Sequence, residues 1–138
     1  MLVYAHRQDA DRHREFRRWL EETVGSDSAF GLSDLVLSSF VRVVTNPRVF
    51  RIPTPTPAAI GAAARLREQP NCVSVAPGRR HWDIFAGLCL SASAKGNLVA
   101  DAYLAALAIE SGSEWITTDR DFSRFPGLRW RHPLTTEW

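Results

Sequence analysis

Segments with helical periodicity alternate with short apolar runs along the whole chain, and this alternation constrains the fold more than any other feature. Apolar residues recur at helical spacing in the segments Asp9–Gly25, Ser33–Thr45, Thr56–Glu68, Trp82–Ser93 and Leu98–Ser111. Between them lie short runs that predict strands: Met1–Ala5, Cys72–Val75, Glu114–Thr117 and Leu128–Trp130. Because helices alternate with strands and no hairpin pattern occurs, the sequence predicts an α/β sandwich with a mainly parallel sheet.

The chain length and the apolar runs exclude several protein classes. Its 138 residues suffice for one hydrophobic core, so Pro53–Pro57 is interpreted as a rigid connector within a single domain spanning residues 1–138. No apolar run approaches the ~18 residues that suggest a transmembrane helix, and the N-terminal run is too short for a signal peptide. We therefore expect a cytoplasmic protein with no membrane partner, in which Cys72 and Cys89 are free thiols.

Positive charge is concentrated in the middle of the chain. The net charge is +2, but residues 35–100 contain seven arginines and one lysine against only Glu68 and Asp83. The segments on either side are both net acidic. This distribution indicates a positive surface beside a carboxylate cluster, an arrangement that suits a polyanion handled with a metal ion.

Asp101 is the first acidic residue that stands out. It is the only charged residue of the predicted helix Leu98–Ser111 before Glu110, and alanines follow it at i+4 and i+7. A carboxylate on such a closely packed face needs compensation by a bound cation or a basic partner. Alternatively, an aspartate in the first turn interacts favourably with the helix dipole. The position alone leaves both interpretations open.

Asp119 and Asp121 form a second candidate site, directly after the predicted strand Glu114–Thr117. In open α/β sheets, ligands bind outside the carboxyl ends of the strands, and carboxylates with neighbouring hydroxyls suit Mg²⁺ or Mn²⁺. Alternatively, either aspartate caps the turn into Phe122. Because Asp101 and Asp119 occur at consecutive elements, their joint occurrence favours a metal site.

Other chemistries find little support in the sequence. It contains no Gly-x-Ser-x-Gly elbow, no Walker phosphate loop and no Gly-x-Gly-x-x-Gly motif. The four histidines do not pair at i, i+4 and are interpreted as surface or phosphate-contacting residues. Asp34 either faces the candidate site or supports the first turn of its own helix. A receiver-like domain with phosphoryl chemistry is a weaker alternative, because the only lysine, Lys95, directly precedes a glycine that closes a helix.

Two stretches near the C-terminus together resemble one known family. Asn97-Leu-Val-Ala-Asp101-Ala-Tyr-Leu and Thr117-Thr-Asp119-Arg-Asp121-Phe strongly resemble motifs of the PIN-domain toxins of VapBC systems, closest to the mycobacterial-type branch. Leu2-Val-Tyr-Ala-His-Arg and Val43-Val-Thr-Asn-Pro-Arg-Val-Phe extend the resemblance over essentially the whole chain. The resemblance implies a single PIN domain with a three-layer α/β/α sandwich around a mainly parallel central sheet.

The resemblance also implies a function. It implies the toxin of a type II toxin–antitoxin system, a Mg²⁺- or Mn²⁺-dependent endoribonuclease that cleaves RNA until a VapB antitoxin neutralises it. Asp101 and Asp119 match two metal-binding positions of the family, and Asp121 is an auxiliary catalytic acid. Arginines of the basic middle segment would hold the RNA backbone. A homodimer is compatible with the resemblance.

Two positions depart from the family pattern. Family members carry an Asp-x-Asn motif on a first strand just before Leu-Val-Tyr-Ala, whereas Met1 here stands directly after that place. Ser39 occupies the position, three residues before Arg42, where many PIN domains carry an acid. We therefore expect a truncated first strand and a natural start further upstream. The alternative function is a PIN-like domain that binds antitoxin or RNA without cleaving RNA, because the first metal-binding aspartate is absent.

Overall fold

The computed structural model describes residues 1–135, and these residues form two compact units. The first unit is Met1–Val75, and the second begins at Ala76. Trp138, expected from the sequence to serve in packing or an interface, lies outside the described residues. Within residues 1–135, no helix is both long enough and apolar enough to cross a membrane.

The first unit consists of helices packed on an apolar core, together with one pair of parallel strands. Its elements, in chain order, are α1 (Leu2–His6), α2 (His13–Gly25), β1 (Phe30–Leu32), α3 (Asp34–Val44), α4 (Thr56–Arg67) and β2 (Cys72–Ser74). In the parallel pair, Phe30 lies opposite Cys72 and Leu32 opposite Ser74. The core is built from buried side chains of α1, α3 and α4: Leu2, Leu37, Phe40, Val44, Ala59 and Ala63.

Helix α3 forms where a capping residue and the apolar spacing agree. Ser33 precedes the helix, and its Oγ accepts a hydrogen bond of 3.1 Å from the backbone N–H three residues later. Leu37, Phe40 and Val44 recur at helical spacing, and all three are buried. The helix ends before Asn46-Pro47, as predicted, because a residue that precedes proline avoids the helical region.

The N-terminal residues correct one expectation from the sequence. The prediction of a strand over Met1–Ala5 is wrong because Leu2–His6 is a helix. The Ala5 N–H donates to the Met1 carbonyl at 3.0 Å, and the side chains of Leu2 and Ala5 are both buried. A five-residue apolar run fits both the strand and the helix period, and here packing against α2 and α3 decides for the helix.

Strand β1 is an element that the sequence pattern did not indicate. It is only three residues long, and its central residue, Gly31, has low strand propensity. Glycine is required there because a Cβ would come within 2.8 Å of Val75 Cγ2. The Val75 N–H donates to the Leu32 carbonyl at 2.9 Å and extends the pairing beyond β2. This strand therefore depends on a distant partner rather than on its own residues.

The second unit contains two packed helices, a pair of short parallel strands and one turn of tighter helix. Its elements are α5 (His81–Ser91), α6 (Asn97–Ser111), β3 (Trp115–Ile116), the 3₁₀ helix Arg120–Arg124 and β4 (Trp130–Arg131). In the strand pair, Trp115 lies opposite Trp130. The core of this unit consists of Leu88, Ala102, Ala105, Ala106, Phe122 and Phe125. Its three alanines let neighbouring elements approach α6 closely.

Helix α6 ends in a left-handed turn at Gly112. This residue has φ 68° and ψ 26°, a conformation that costs side-chain-bearing residues energy. The Ser113 N–H donates to the Ala108 carbonyl at 2.9 Å, which is the bond of a Schellman motif that spans six residues. The predicted end of this helix at Ser111 is confirmed.

The strand pairing establishes the fold class. Both strand pairs are parallel, and a helix separates the partners or leads into them along the chain. The predicted α/β class with parallel pairing is therefore confirmed. Within residues 1–135, the strands form two separate two-stranded sheets and not one continuous sheet.

Candidate active site

Asp101 lies near the start of α6, on a helix that is otherwise packed through small side chains. Its neighbours Ala102, Ala105 and Ala106 are completely buried, whereas Asp101 itself is half-buried. No cation among residues 1–135 forms an ion pair with its carboxylate. The carboxylate therefore carries an uncompensated charge on a partly desolvated surface.

The electrostatic surroundings of Asp101 link it to the second predicted site. Burial raises the pKa of Asp101 above its ordinary value, and repulsion from Asp119 and then Asp121 raises it further. Asp119 and Asp121 thus both act electrostatically on Asp101 within the second unit. Such mutual repulsion favours binding of either a proton or a metal cation.

Asp119 is held by the turn that leads out of β3. Its backbone N–H donates to Thr117 Oγ1 at 3.1 Å, and Thr117 is nearly buried. Asp119 Oδ1 accepts a hydrogen bond of 2.9 Å from the Asp121 N–H and so caps the 3₁₀ helix. The capping role weighed from the sequence is therefore present. The second oxygen, Oδ2, accepts no hydrogen bond from the described residues.

The 3₁₀ helix is fixed by aromatic packing. Phe122 is buried, and its ring centroid lies 5.3 Å from that of Trp115 and 5.9 Å from that of Phe125. Asp119 and Asp121 precede this anchor directly and are both exposed. Rigid packing on one side of the turn thus presents two carboxylates to solvent on the other.

The arrangement is suited to a divalent cation without forming a complete ligand set. Carboxylate oxygens are the ligands that Mg²⁺ and Mn²⁺ prefer, and no cation of the described part of the chain forms an ion pair with Asp101. Among residues 1–135, however, no group of three His, Cys, Asp or Glu side chains is close enough to hold a metal ion by itself. Two aspartates would leave the remaining coordination positions to water or substrate, which is common for Mg²⁺.

Asp34 lies in the first unit, at the first position of α3. Its Oδ1 is 3.2 Å from Arg67 Nε, and its side chain is 75% exposed. These contacts agree with the interpretation that Asp34 supports the first turn of its own helix.

The sequence did not indicate that Glu110 of α6 forms hydrogen bonds to the segment before α5. Its Oε1 accepts a hydrogen bond of 2.6 Å from the Gly78 N–H, and its Oε2 accepts one of 2.9 Å from the Arg80 N–H. The bond from Gly78 is the largest cause that lowers the pKa of Glu110 below its ordinary value. The only local signal was that Glu110 is the one other charged residue of this apolar helix.

His81 corrects the interpretation of the histidines as surface residues. Its side chain is buried, and its Nε2 lies 3.0 Å from the Tyr103 carbonyl oxygen of α6. The ring also stacks parallel to Phe85 and edge-on to Tyr103. His81 therefore joins the start of α5 to α6.

Comparison with known proteins supplies the family. Residues 1–128 match the PIN domain. The chain is 47% identical over 134 residues to VapC ribonuclease Mb2897 of Mycobacterium bovis and to Ribonuclease VapC43 of Mycobacterium tuberculosis, covering 97% of this chain and 91% of each relative. It is 38% identical to Ribonuclease VapC25 of M. tuberculosis, over 96% of this chain and 94% of the relative. Together with the parallel α/β fold, these similarities show that the chain belongs to the VapC family of PIN-domain toxins.

Proposed function

We propose that this chain is a metal-dependent endoribonuclease and the toxin of a type II toxin–antitoxin system. The observation that carries the proposal is the half-buried Asp101 carboxylate, with which no cation among residues 1–135 forms an ion pair and which the exposed carboxylates of Asp119 and Asp121 repel. The names of its relatives, which are ribonucleases, support the same activity. The finer assignments concern the metal, the substrate and the partner.

Asp101 and Asp119 would hold the cation, Mg²⁺ or Mn²⁺, and Asp121 would be an auxiliary catalytic acid. A cation held there supplies positive charge to the reacting phosphate and lowers the pKa of water. The residues of the chain contribute the rest. The cap at Asp119 Oδ1 orients its carboxylate, and the packing of Phe122 keeps that turn in place.

Two arginines of the 3₁₀ helix are suited to hold the substrate. Arg120 and Arg124 are exposed, and neither forms an ion pair with any of residues 1–135. Arg120 lies between Asp119 and Asp121 in the chain. A guanidinium in this position can donate two parallel hydrogen bonds to two oxygens of a phosphate and counter the repulsion between RNA and the aspartates.

Family membership supports a proposal for the partner and for the domain organisation. We propose a VapB-type antitoxin as the partner that neutralises the toxin, and residues 1–138 as a single PIN domain. The match to the PIN domain over residues 1–128, which covers the first compact unit and most of the second, supports the single domain.

The test is RNA cleavage by the full chain with Mg²⁺, with Mn²⁺ and with EDTA, together with calorimetric titration of Mn²⁺. We expect cleavage only with metal, and loss of both cleavage and Mn²⁺ binding in Asp101→Asn. Asp27→Asn is the matched control, because Asp27 is an exposed aspartate of the first unit. Cleavage by Asp101→Asn at the parent rate would disprove the site assignment. RNA binding without cleavage would favour the non-cleaving PIN-like domain.

A further inference from the structure

The start of α5 presents two arginines and a tryptophan to solvent. Arg79 and Arg80 are exposed, and neither side chain forms an ion pair with any of residues 1–135. Trp82 is 69% exposed, which is unusual for so large an apolar side chain. The only acid nearby in the chain is Asp83, so residues 76–83 carry a net positive charge. We call these three side chains the Arg79-Arg80-Trp82 surface.

This surface is rigid because α6 holds its backbone at two points. The Glu110 carboxylate accepts the Gly78 and Arg80 N–H groups, and buried His81 contacts the Tyr103 carbonyl. A Cβ on Gly78 would come within 2.8 Å of Glu110 Oε2, so a side chain at this position would displace the Glu110 carboxylate. The segment therefore presents its side chains from a fixed backbone, as a preorganised binding site does.

Trp82 is supported on one side and open on the other. Its ring centroid lies 5.4 Å from that of Phe85 at an interplanar angle of 50°. Phe85 in turn packs edge-on to Tyr103 of α6, at 5.9 Å. An indole held in this way and left mostly in solvent is a platform on which a flat, apolar ring can stack.

Charge decides what kind of molecule fits the surface. Covering Arg79 and Arg80 with a neutral partner would desolvate two guanidinium groups without compensation. A polyanion with exposed flat rings satisfies both the charges and the indole, and single-stranded RNA has this chemistry. We propose that the Arg79-Arg80-Trp82 surface binds single-stranded RNA, with the two arginines on phosphates and Trp82 stacked on a base. The proposal rests on the proposed ribonuclease function.

The geometry of α6 places this surface away from the aspartates. At 3.6 residues per turn, Tyr103 and Glu110 lie about 180–200° around the helix axis from Asp101. The RNA must therefore pass around a helix that is about 10–12 Å across, side chains included. An RNA long enough to follow half of this circumference can contact both places at once.

RNA length is therefore the variable to test. Fluorescence anisotropy would measure binding of labelled, unstructured RNAs of about 4 and about 16 nucleotides to Asp101→Asn protein in EDTA. Adding Trp82→Ala should weaken binding of the longer RNA about 10-fold, the effect of losing one base stack, and should weaken binding of the shorter RNA by no more than that. Arg79→Ala with Arg80→Ala should make the salt dependence of binding shallower by about 1.4 log units per log unit of salt.

Two control variants separate this surface from general effects. Leu90→Ala removes another exposed apolar side chain of α5, 82% exposed, and should not change RNA binding. Arg12→Ala with Arg17→Ala removes the same charge from arginines that are ion-paired with Glu15 and Glu21. This double variant should change the salt dependence less than the Arg79 and Arg80 pair does.

Several results would overturn the inference. The inference is overturned if Trp82→Ala and the Arg79 and Arg80 double variant bind the longer RNA as tightly as the parent does, even if the chain cleaves RNA normally. A change of oligomeric state in Trp82→Ala and Leu90→Ala, without a change in RNA affinity, would instead assign the surface to protein contacts. Trp82-dependent RNA binding by a chain that never cleaves RNA would uphold the inference and refute the proposed function.

Discussion

Replacing Gly112 by alanine tests the left-handed turn that ends the helix carrying Asp101. At φ 68°, a residue with a Cβ loses about 1–2 kcal/mol relative to its preferred conformations. Alanine also restricts the unfolded chain, which returns about 0.4–1 kcal/mol. No atom lies within 4 Å of the position that a Cβ would occupy, so no clash adds to the cost. We expect Gly112→Ala to lower the free energy of unfolding by about 1 kcal/mol.

Gly87 provides the matched control in the same unit. It lies inside α5, is exposed, and would also place its Cβ in open space. Its backbone is helical, so Gly87→Ala should raise the free energy of unfolding by about 0.5–1 kcal/mol. The same chemical change should therefore have opposite signs at the two positions.

Urea denaturation and thermal melting followed by circular dichroism would measure both variants. For a chain of this length, 1 kcal/mol corresponds to about 3 °C in Tm. We expect a decrease of about 3 °C for Gly112→Ala and an increase of about 2 °C for Gly87→Ala. If both variants shift Tm in the same direction, or Gly112→Ala is as stable as the parent, the left-handed termination of α6 is wrong.

Three further predictions concern charge and packing. Asp101→Asn should stabilise the metal-free protein by about 0.5 kcal/mol at pH 7, because the pKa of Asp101 is raised and its carboxylate therefore lowers the stability of the parent as pH rises above 3.8. In thermal melts with EDTA, this gain in stability should vanish near pH 3. Glu110 has a lowered pKa, so the stability that its carboxylate contributes is present above pH 4.5 and is lost as pH falls through the lowered value. Glu110→Gln should abolish this loss and speed hydrogen exchange of the Gly78 N–H, and unchanged exchange would contradict the hydrogen bond between Glu110 and Gly78. Val44→Ala should cost about 2 kcal/mol in urea denaturation because this side chain is fully buried, whereas Val49→Ala, 55% exposed, should cost under about 0.5 kcal/mol.

The sequence predicted correctly those helices in which capping residues mark the ends and apolar spacing marks the buried face. Helix α3 has a capping serine, buried residues at helical spacing and a stop before proline, so periodicity and capping pointed to one structure. The helix at Leu2–His6 was predicted as a strand because five apolar residues do not distinguish the two periods. Strand β1 was missed because Gly31 obtains its strand conformation from Val75 and β2, more than 40 residues later.

The candidate site shows the same division. Asp101 and Asp119 were found because one is isolated on an apolar helix and the other follows a strand. The roles of Glu110 and Trp82 depend on contacts across the second unit, and no spacing along the chain reveals them. Likewise, only the structure shows that one oxygen of the Asp119 carboxylate, Oδ1, accepts a hydrogen bond from the Asp121 N–H.

The cap at Asp119 has a consequence for the speed and strength of ligand capture. Because the Asp121 N–H already holds Oδ1, the carboxylate occupies one rotamer before any cation arrives. Ordering a free side chain on binding costs about 0.5–1.5 kcal/mol of conformational entropy. For Asp119, this entropy is already lost when the protein folds. Asp119→Asn would keep an oxygen for the cap while removing the charge, whereas Asp119→Ala would release the turn as well. Comparing these two variants would therefore separate the entropy of orientation from the charge that attracts the cation.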